Sequence, residues 1–488
     1  MKMVKDNLNL VSKLSSEEEA ELRFALECIS PDDAKYRKAT KPIRKAIGPR
    51  AEWEGCFNLQ YLLLETRAKF GKADRKHVKE VRLILDRVDS LNASLLEEEV
   101  TRHDQQAVLA EIGRFVTIAT RALLHPGVTS YDILDTVRSS LFKKAWFDVM
   151  RPKIGEVAEQ FCDFAEDTID VIQVGRTHIQ DTSPVPFGVT MAGYARRISE
   201  RAEYLDRAFD DLRGKVRGMV GTGASIEMIV GKGRASDFEK AVLGKLGLKP
   251  DLTATQVTQK ERLVDVGHGL VTLASVLGDF AGDVRLLYSS AIRELVSSDS
   301  SKILGGSSAD AAKDNPINYE NMEGKVPVIE SGMRVLYSMI STDLQRDLRS
   351  SVQGRYQPQQ MMAQVYEMFV RMNKAMKTLC VNKDKMSNNL ISVREFPSEA
   401  MVAILRGEGW MHPDYGDGHD FVKNISQKAK ANRQKLLGVA LTDERFKSLY
   451  ETLPQEKQRI LQGEMELYVG DSPERARDNI TYARKVFE

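Results

Sequence analysis

Leu263, Val266, Leu270, Leu273, Leu277, Phe280, Val284 and Leu287 follow one another at alternating steps of three and four residues. A strand cannot keep such a stripe on one face, because its side chains alternate with a period of two. A helix can, and a stripe this long predicts a helix that packs along its neighbours at a shallow angle. Ile198, Ala202, Leu205, Phe209 and Leu212 mark the face of a second helix. A helix of about thirty residues is roughly 45 Å long. Long bundles leave apolar edges uncovered in a lone chain, which predicts assembly of several copies. Gly267, Gly269, Gly278 and Gly282 sit in the same segment. Each costs roughly 1 kcal/mol relative to alanine in a helix, so close approach of neighbouring elements is expected there.

The chain is long enough, at 488 residues, to bury a sizeable core in several domains. Only 7% of it is aromatic, which with abundant helix formers predicts an all-α protein. Pattern length changes near residues 120 and 375. That predicts three helical domains: 1–120, a central long-helix bundle over 121–375, and 376–488. Basic and acidic residues nearly balance, 71 against 70, so no global field draws the protein to nucleic acid or a membrane. Anion recognition must be local. Cys28, Cys56, Cys162 and Cys380 are scattered and read as free thiols. The first twenty residues lack an apolar run and no stretch is apolar enough to span a bilayer, so the cytoplasm is the expected location. There is no internal repeat.

Three polar, glycine-punctuated stretches interrupt the helical patterns. The first runs His125-Pro126-Gly127-Val128-Thr129-Ser130-Tyr131-Asp132. Its Thr129 to Asp132 portion has the form of a capping box, and a helix start is itself an anion site. The second is Val174-Gly175-Arg176-Thr177-His178-Ile179-Gln180, followed by Pro184-Val185-Pro186-Phe187-Gly188. The third is Gly306-Ser307-Ser308-Ala309-Asp310-Ala311-Ala312-Lys313-Asp314-Asn315-Pro316. Such a loop can carry a basic hydroxyl into a pocket and hold anions.

In order and spacing these stretches resemble the three signature regions of the fumarase/aspartase superfamily. The resemblance implies a twenty-helix core built from four subunits, with each active site drawn from three chains. It implies elimination of fumarate from a succinyl adduct, with no cofactor and no metal. A proton must leave the carbon beside a carboxylate, the resulting carbanion must be stabilised, and the leaving nitrogen must be protonated. Ser307 matches the family's base, with Lys313 and loop N–H groups to stabilise its alkoxide. His178 matches the acid, and an ordinary imidazole titrates near neutrality. Glu320 matches the carboxylate that orients it. Thr129, Ser130, Thr177 and Asn315 match substrate contacts.

Four further matches point to the superfamily's adenylosuccinate-cleaving branch. They are Thr101-Arg102-His103-Asp104; Lys35-Tyr36, with lysine where that family has arginine; Gln256; and the segment carrying Arg346, Ser351 and Arg355. The resemblance makes the last three residues nucleotide-binding. Two guanidiniums and a hydroxyl suit a phosphate dianion. The implied partner is therefore a small nucleotide substrate, adenylosuccinate or the succinylated aminoimidazole carboxamide ribonucleotide.

The third stretch departs from the family's SSxMPxKxNP. Asp310 and Ala311 replace Met-Pro, and Asp314 replaces an arginine. Like charges a few ångströms apart cost on the order of 1–4 kcal/mol, so two aspartates fit a polyanion site only if they face away. Two other readings follow from the altered loop: a lyase for another succinyl adduct, or a non-catalytic nucleotide-binding relative. His412, Asp414, Asp417, His419 and Asp420 resemble metal ligands in type, but Pro413, Gly416 and Gly418 predict a turn leading into a helix.

Overall fold

The computed structural model describes Val11, residues 14–298, Asp310 and residues 313–488. The chain divides into two compact units, each assembled from three separate stretches. One comprises residues 1–154, 201–275 and 324–372; the other comprises 155–200, 276–323 and 373–488. The fold is all-α in character. Its strands, among the described residues, form only two-stranded pairs.

The longest helix is Glu261–Tyr288, 28 residues, and it carries the three-four stripe. Val266, Leu270, Leu273, Leu277, Phe280 and Val284 are buried along it. The helix Phe187–Asp210 buries Ile198, Ala202, Leu205 and Phe209 in the same way. Gly267 and Gly269 answer to close approach by side chains. A Cβ on Gly267 would meet Leu336 and lie 2.9 Å from Met333 Sδ, and one on Gly269 would lie 2.5 Å from Leu205 Cδ2. Gly282 has no such neighbour, and nothing in the structure explains its choice.

In the first unit, Phe57, Leu64, Ile133, Val137, Phe238 and Leu243 belong to one apolar cluster. It buries one side of the helix Ser130–Ala145, whose N-terminus carries the first polar stretch. In the second unit, Val174 packs with Leu390, Val393, Ala400, Ile460 and Met465. That cluster roots the hairpin of Ile172–Thr177 and Gln180–Pro186.

The Pro-Val-Pro-Phe-Gly segment ends this hairpin and opens the helix Phe187–Asp210. A Cβ on Gly188 would strike the carbonyl oxygen of Ala165 and lie 2.7 Å from both N and Cα of Ile169. These are backbone atoms and cannot turn aside. Gly188→Ala is expected to lower stability by about 1–3 kcal/mol or more, read from the denaturation midpoint.

Asp417 caps the helix Gly418–Asn432, accepting from the N–H groups of His419 and Asp420 at 3.0 and 3.1 Å and from Arg406. The turn into a helix read from Pro413, Gly416 and Gly418 is thus present. Asp417, His419 and Asp420 do cluster closely enough to share an ion, but helix capping already accounts for the arrangement. The four cysteines are unpaired thiols. No described helix is long and apolar enough to cross a membrane.

Candidate active site

The second unit presents His178 at the tip of its hairpin. Thr177 pairs with Gln180, leaving His178 and Ile179 as the two-residue turn, with φ of 55° and 61°. Two successive left-handed residues match the twist of a tight hairpin, but that geometry favours Asn-Gly. Histidine and a β-branched isoleucine each cost roughly 1–2 kcal/mol there. Thr177, His178 and Ile179 are all exposed. Behind the tip, Arg176 is ion-paired with Glu294 and Asp181.

Ser307, the expected base, lies outside the described residues. Lys313 is exposed, and its N–H donates to the Asp310 carbonyl at 3.2 Å. Asn315 is half-buried and Pro316 accepts from the N–H of Glu320 at 3.1 Å, opening the helix Ile317–Ile340. Glu320 is exposed in the first turn of that helix. Among the described residues no side-chain hydrogen bond joins Glu320 to His178 within this chain. Asp314 accepts a hydrogen bond from the Tyr288 hydroxyl, and Asp310 is exposed.

The first unit gathers most of the residues expected to bind substrate. Thr129 and Ser130 stand at the start of the helix Ser130–Ala145, where Asp132 accepts from the Thr129 N–H at 2.8 Å. His103 Nδ1 accepts from the Gln105 N–H at 3.2 Å. In the neutral ring that leaves the proton on Nε2, which faces Ser130 Oγ at 3.3 Å. Arg102, just before it, has φ of 54° and is exposed. Burial, and next the charge of Asp104, push the Glu97 carboxyl up, while the charges of Arg355 and His103 oppose them.

Arg346 lies 3.9 Å over the Tyr131 ring and donates from Nη1 to Gln256 Oε1 at 2.9 Å. Its Nε is buried without a partner among the described residues. The Gln256 N–H donates to the Gln345 carbonyl at 3.2 Å, which ties the two segments together. Ser351 and Arg355 lie four residues apart on the helix Arg349–Tyr356, on one face. The helix start at Ser130 and the Arg346 guanidinium over the neighbouring Tyr131 thus offer positive ends suited to an anion. Tyr36 lies under Lys325 Nζ at 4.3 Å and the Arg371 guanidinium at 5.3 Å. Lys35 is exposed.

Sequence reasoning missed what stands behind Thr129 and Ser130. Asp132 is fully buried, ion-paired with Lys215, and accepts from the N–H groups of Arg217 and Gly218 at 2.9 and 3.0 Å. One turn on, Asp135 accepts from Thr258 Oγ1 at 3.0 Å and Lys260 Nζ at 2.8 Å. Arg138 then donates twice to Glu52, at 2.9 and 2.8 Å. Tyr131, which carries Arg346, belongs to the first polar stretch, but no spacing in the sequence links it to Arg346.

Glu239 lies beside this network and accepts from the Val216 N–H at 2.9 Å. Burial pushes its carboxyl from 4.5 up to about 7. The folded chain therefore holds this proton to higher pH than the unfolded chain. Stability from this source is complete below pH 4.5, falls as pH rises toward 7, and is level above it. Glu239→Gln keeps the acceptor and removes the titration. The variant should equal wild type below pH 4.5 and exceed it by about 1–3 kcal/mol at pH 8, in paired denaturant titrations.

A protein family described as Lyase matches residues 64–329, more than half the chain. The chain is a lyase of the fumarase/aspartase superfamily. Among curated relatives of this lyase, the adenylosuccinate lyase of Archaeoglobus fulgidus is 26% identical over 458 residues, covering 93% of this chain and 98% of the relative. That of Bacillus subtilis is 30% identical over 340 residues, 69% of this chain and 76% of the relative. Among solved structures, the lyase is similar to 3-carboxy-cis,cis-muconate lactonizing enzyme from Pseudomonas putida. The TM-score is 0.76 at 18% identity, over 91% of this chain and 97% of that one. Fumarate lyase from Mesorhizobium sp. BNC1 gives 0.76 at 17%, over 90% and 97%. All three signature stretches of the lyase fall inside the matched span, whereas the Arg346 segment lies beyond it.

Proposed function

We propose that this lyase eliminates fumarate from adenylosuccinate to leave AMP, and acts likewise on the succinylated aminoimidazole carboxamide ribonucleotide. What carries the reading is the meeting of Gln256, Arg346 and Tyr131 beside the Ser130 helix start, in a lyase whose relatives are named adenylosuccinate lyases. The phosphate lies against Arg346, Ser351 and Arg355. Thr129 and Ser130 hold a succinyl carboxylate, Arg102, His103 and Asp104 line the substrate, and Lys35 and Tyr36 complete the nucleotide's surroundings.

Ser307, as an alkoxide stabilised by Lys313 and loop N–H groups, takes the proton from the carbon beside a carboxylate and becomes a hydroxyl, while Asn315 contacts the substrate. The carbon–nitrogen bond then breaks, and its electron pair goes to nitrogen. His178 delivers a proton to that nitrogen. Glu320 of another chain orients His178 in a homotetramer with shared active sites. The exposed positions of both side chains suit that arrangement. Along the sequence, we propose domains over 1–120, 121–375 and 376–488. The cytoplasm is the proposed site of action.

The test mixes purified protein with adenylosuccinate and follows absorbance together with released fumarate. Absence of fumarate from correctly folded oligomer sinks the reading. A second reading, another succinyl adduct, draws on Asp310 and Asp314 in the third stretch. Faster turnover of a phosphate-free succinyl amine would favour it.

A further inference from the structure

We propose that Arg176 and Glu294 are positioning residues for His178, their ion pair holding the hairpin tip in the shape that presents the imidazole. This rests on the assignment of His178 as the proton donor.

The tip cannot be left to its own sequence. Ile179 is β-branched and fits poorly in the left-handed backbone that both residues adopt, and His178, although a type met there more often than most, does not fit it as glycine does. Something outside the turn must hold the last rungs of the hairpin, and the rung at Arg176 and Asp181 is where it is held. Arg176 Nε donates to Asp181 Oδ1 across the strands at 3.1 Å. Its Nη1 and Nη2 donate to the two oxygens of Glu294, at 3.0 and 2.6 Å.

Glu294 is in turn fixed. Its side chain is fully buried. Asn389 Nδ2 donates to its Oε1 at 2.7 Å, and its carbonyl accepts from the Asn382 N–H at 2.9 Å. The other oxygen of Asp181 accepts from Ser392 Oγ at 3.0 Å. Both strands are therefore pinned next to the Thr177 and Gln180 pair from which the turn springs. One planar guanidinium meets both carboxylates at once, a task for arginine rather than lysine. Glu294 is buried and its oxygens are engaged, so any influence on catalysis passes through the placement of His178.

Arg176→Lys and Glu294→Gln test this, alongside His178→Gln, in adenylosuccinate cleavage. Displacing a reacting group by about an ångström costs up to roughly a hundredfold in rate. We expect kcat to fall about 10–100-fold in both clamp variants, with KM within about twofold and an altered pH profile of kcat. Asp181→Asn weakens the clamp without leaving a buried charge unpaired, and serves if Glu294→Gln folds poorly. It should give a smaller fall with the same change in pH profile. If His178→Gln is inactive while folded clamp variants keep wild-type kcat and pH profile, the clamp is overturned and the function stands. Stability loss alone, with unchanged kcat per folded molecule, overturns it equally. If His178→Gln works at the wild-type rate, His178 is not the donor, and the clamp's part in catalysis falls with it.

Discussion

His178→Gln lowers kcat by about a hundred- to ten-thousandfold and leaves KM within a few-fold of wild type. Glutamine keeps much of the size of histidine and can donate a hydrogen bond, but it cannot transfer a proton. A positioned general acid contributes about 10²–10⁴ in rate. Its removal should appear in the chemical step, because a proton donor acts there and His178 is exposed at a hairpin tip. For the same reason the unfolding midpoint should hardly move. Steady-state kinetics with adenylosuccinate, read beside a thermal melt, gives both quantities. A variant within threefold of wild-type kcat would remove His178 from the mechanism.

Asp132→Asn is expected to destabilise the protein by about 3–5 kcal/mol, the cost of breaking a buried ion pair by removing one partner. Asparagine keeps one acceptor oxygen, which can still serve the N–H groups of Arg217 and Gly218, while the Thr129 N–H loses its acceptor and Lys215 loses its counter-charge. That ammonium is fully buried against the Asp132 carboxylate. Without the carboxylate it must either stay charged and unpaired or give up its proton. The double variant Asp132→Asn, Lys215→Met removes the stranded charge and should regain much of the loss. Urea titrations of the two single variants and the double provide the cycle. Additive losses would show that the two side chains do not act as a pair.

How far the sequence reached depended on the span of the interaction. The faces of Phe187–Asp210 and Glu261–Tyr288 were legible because helix periodicity is local and both run for many turns. The turn into the helix at Gly418 was legible from prolines and glycines that need particular backbone shapes. The strand pairs at Arg213 and Met411 are two residues long, too short to show a period of two. Lys215 and Asp132 stand 83 residues apart in the chain, and Lys260 and Asp135 stand 125 apart. No spacing rule connects such partners, and buried charges look in a sequence like any solvated ones. The resemblance did name Gln256 and Arg346 together, although 90 residues separate them. It passed over Arg176, within a segment it relied on, because the partner Glu294 belongs to a different part of the chain.

The polar ties of the helix Ser130–Ala145 reach three distant stretches, through Asp132 to 215–218, Asp135 to 258–260 and Arg138 to Glu52. Each tie sits three residues after the last, so local fraying of this helix would release all of them within two turns. Heat should therefore not erode this unit piece by piece. Amides along residues 131–145 and 214–218 should share one opening event, with exchange protection that vanishes together or not at all.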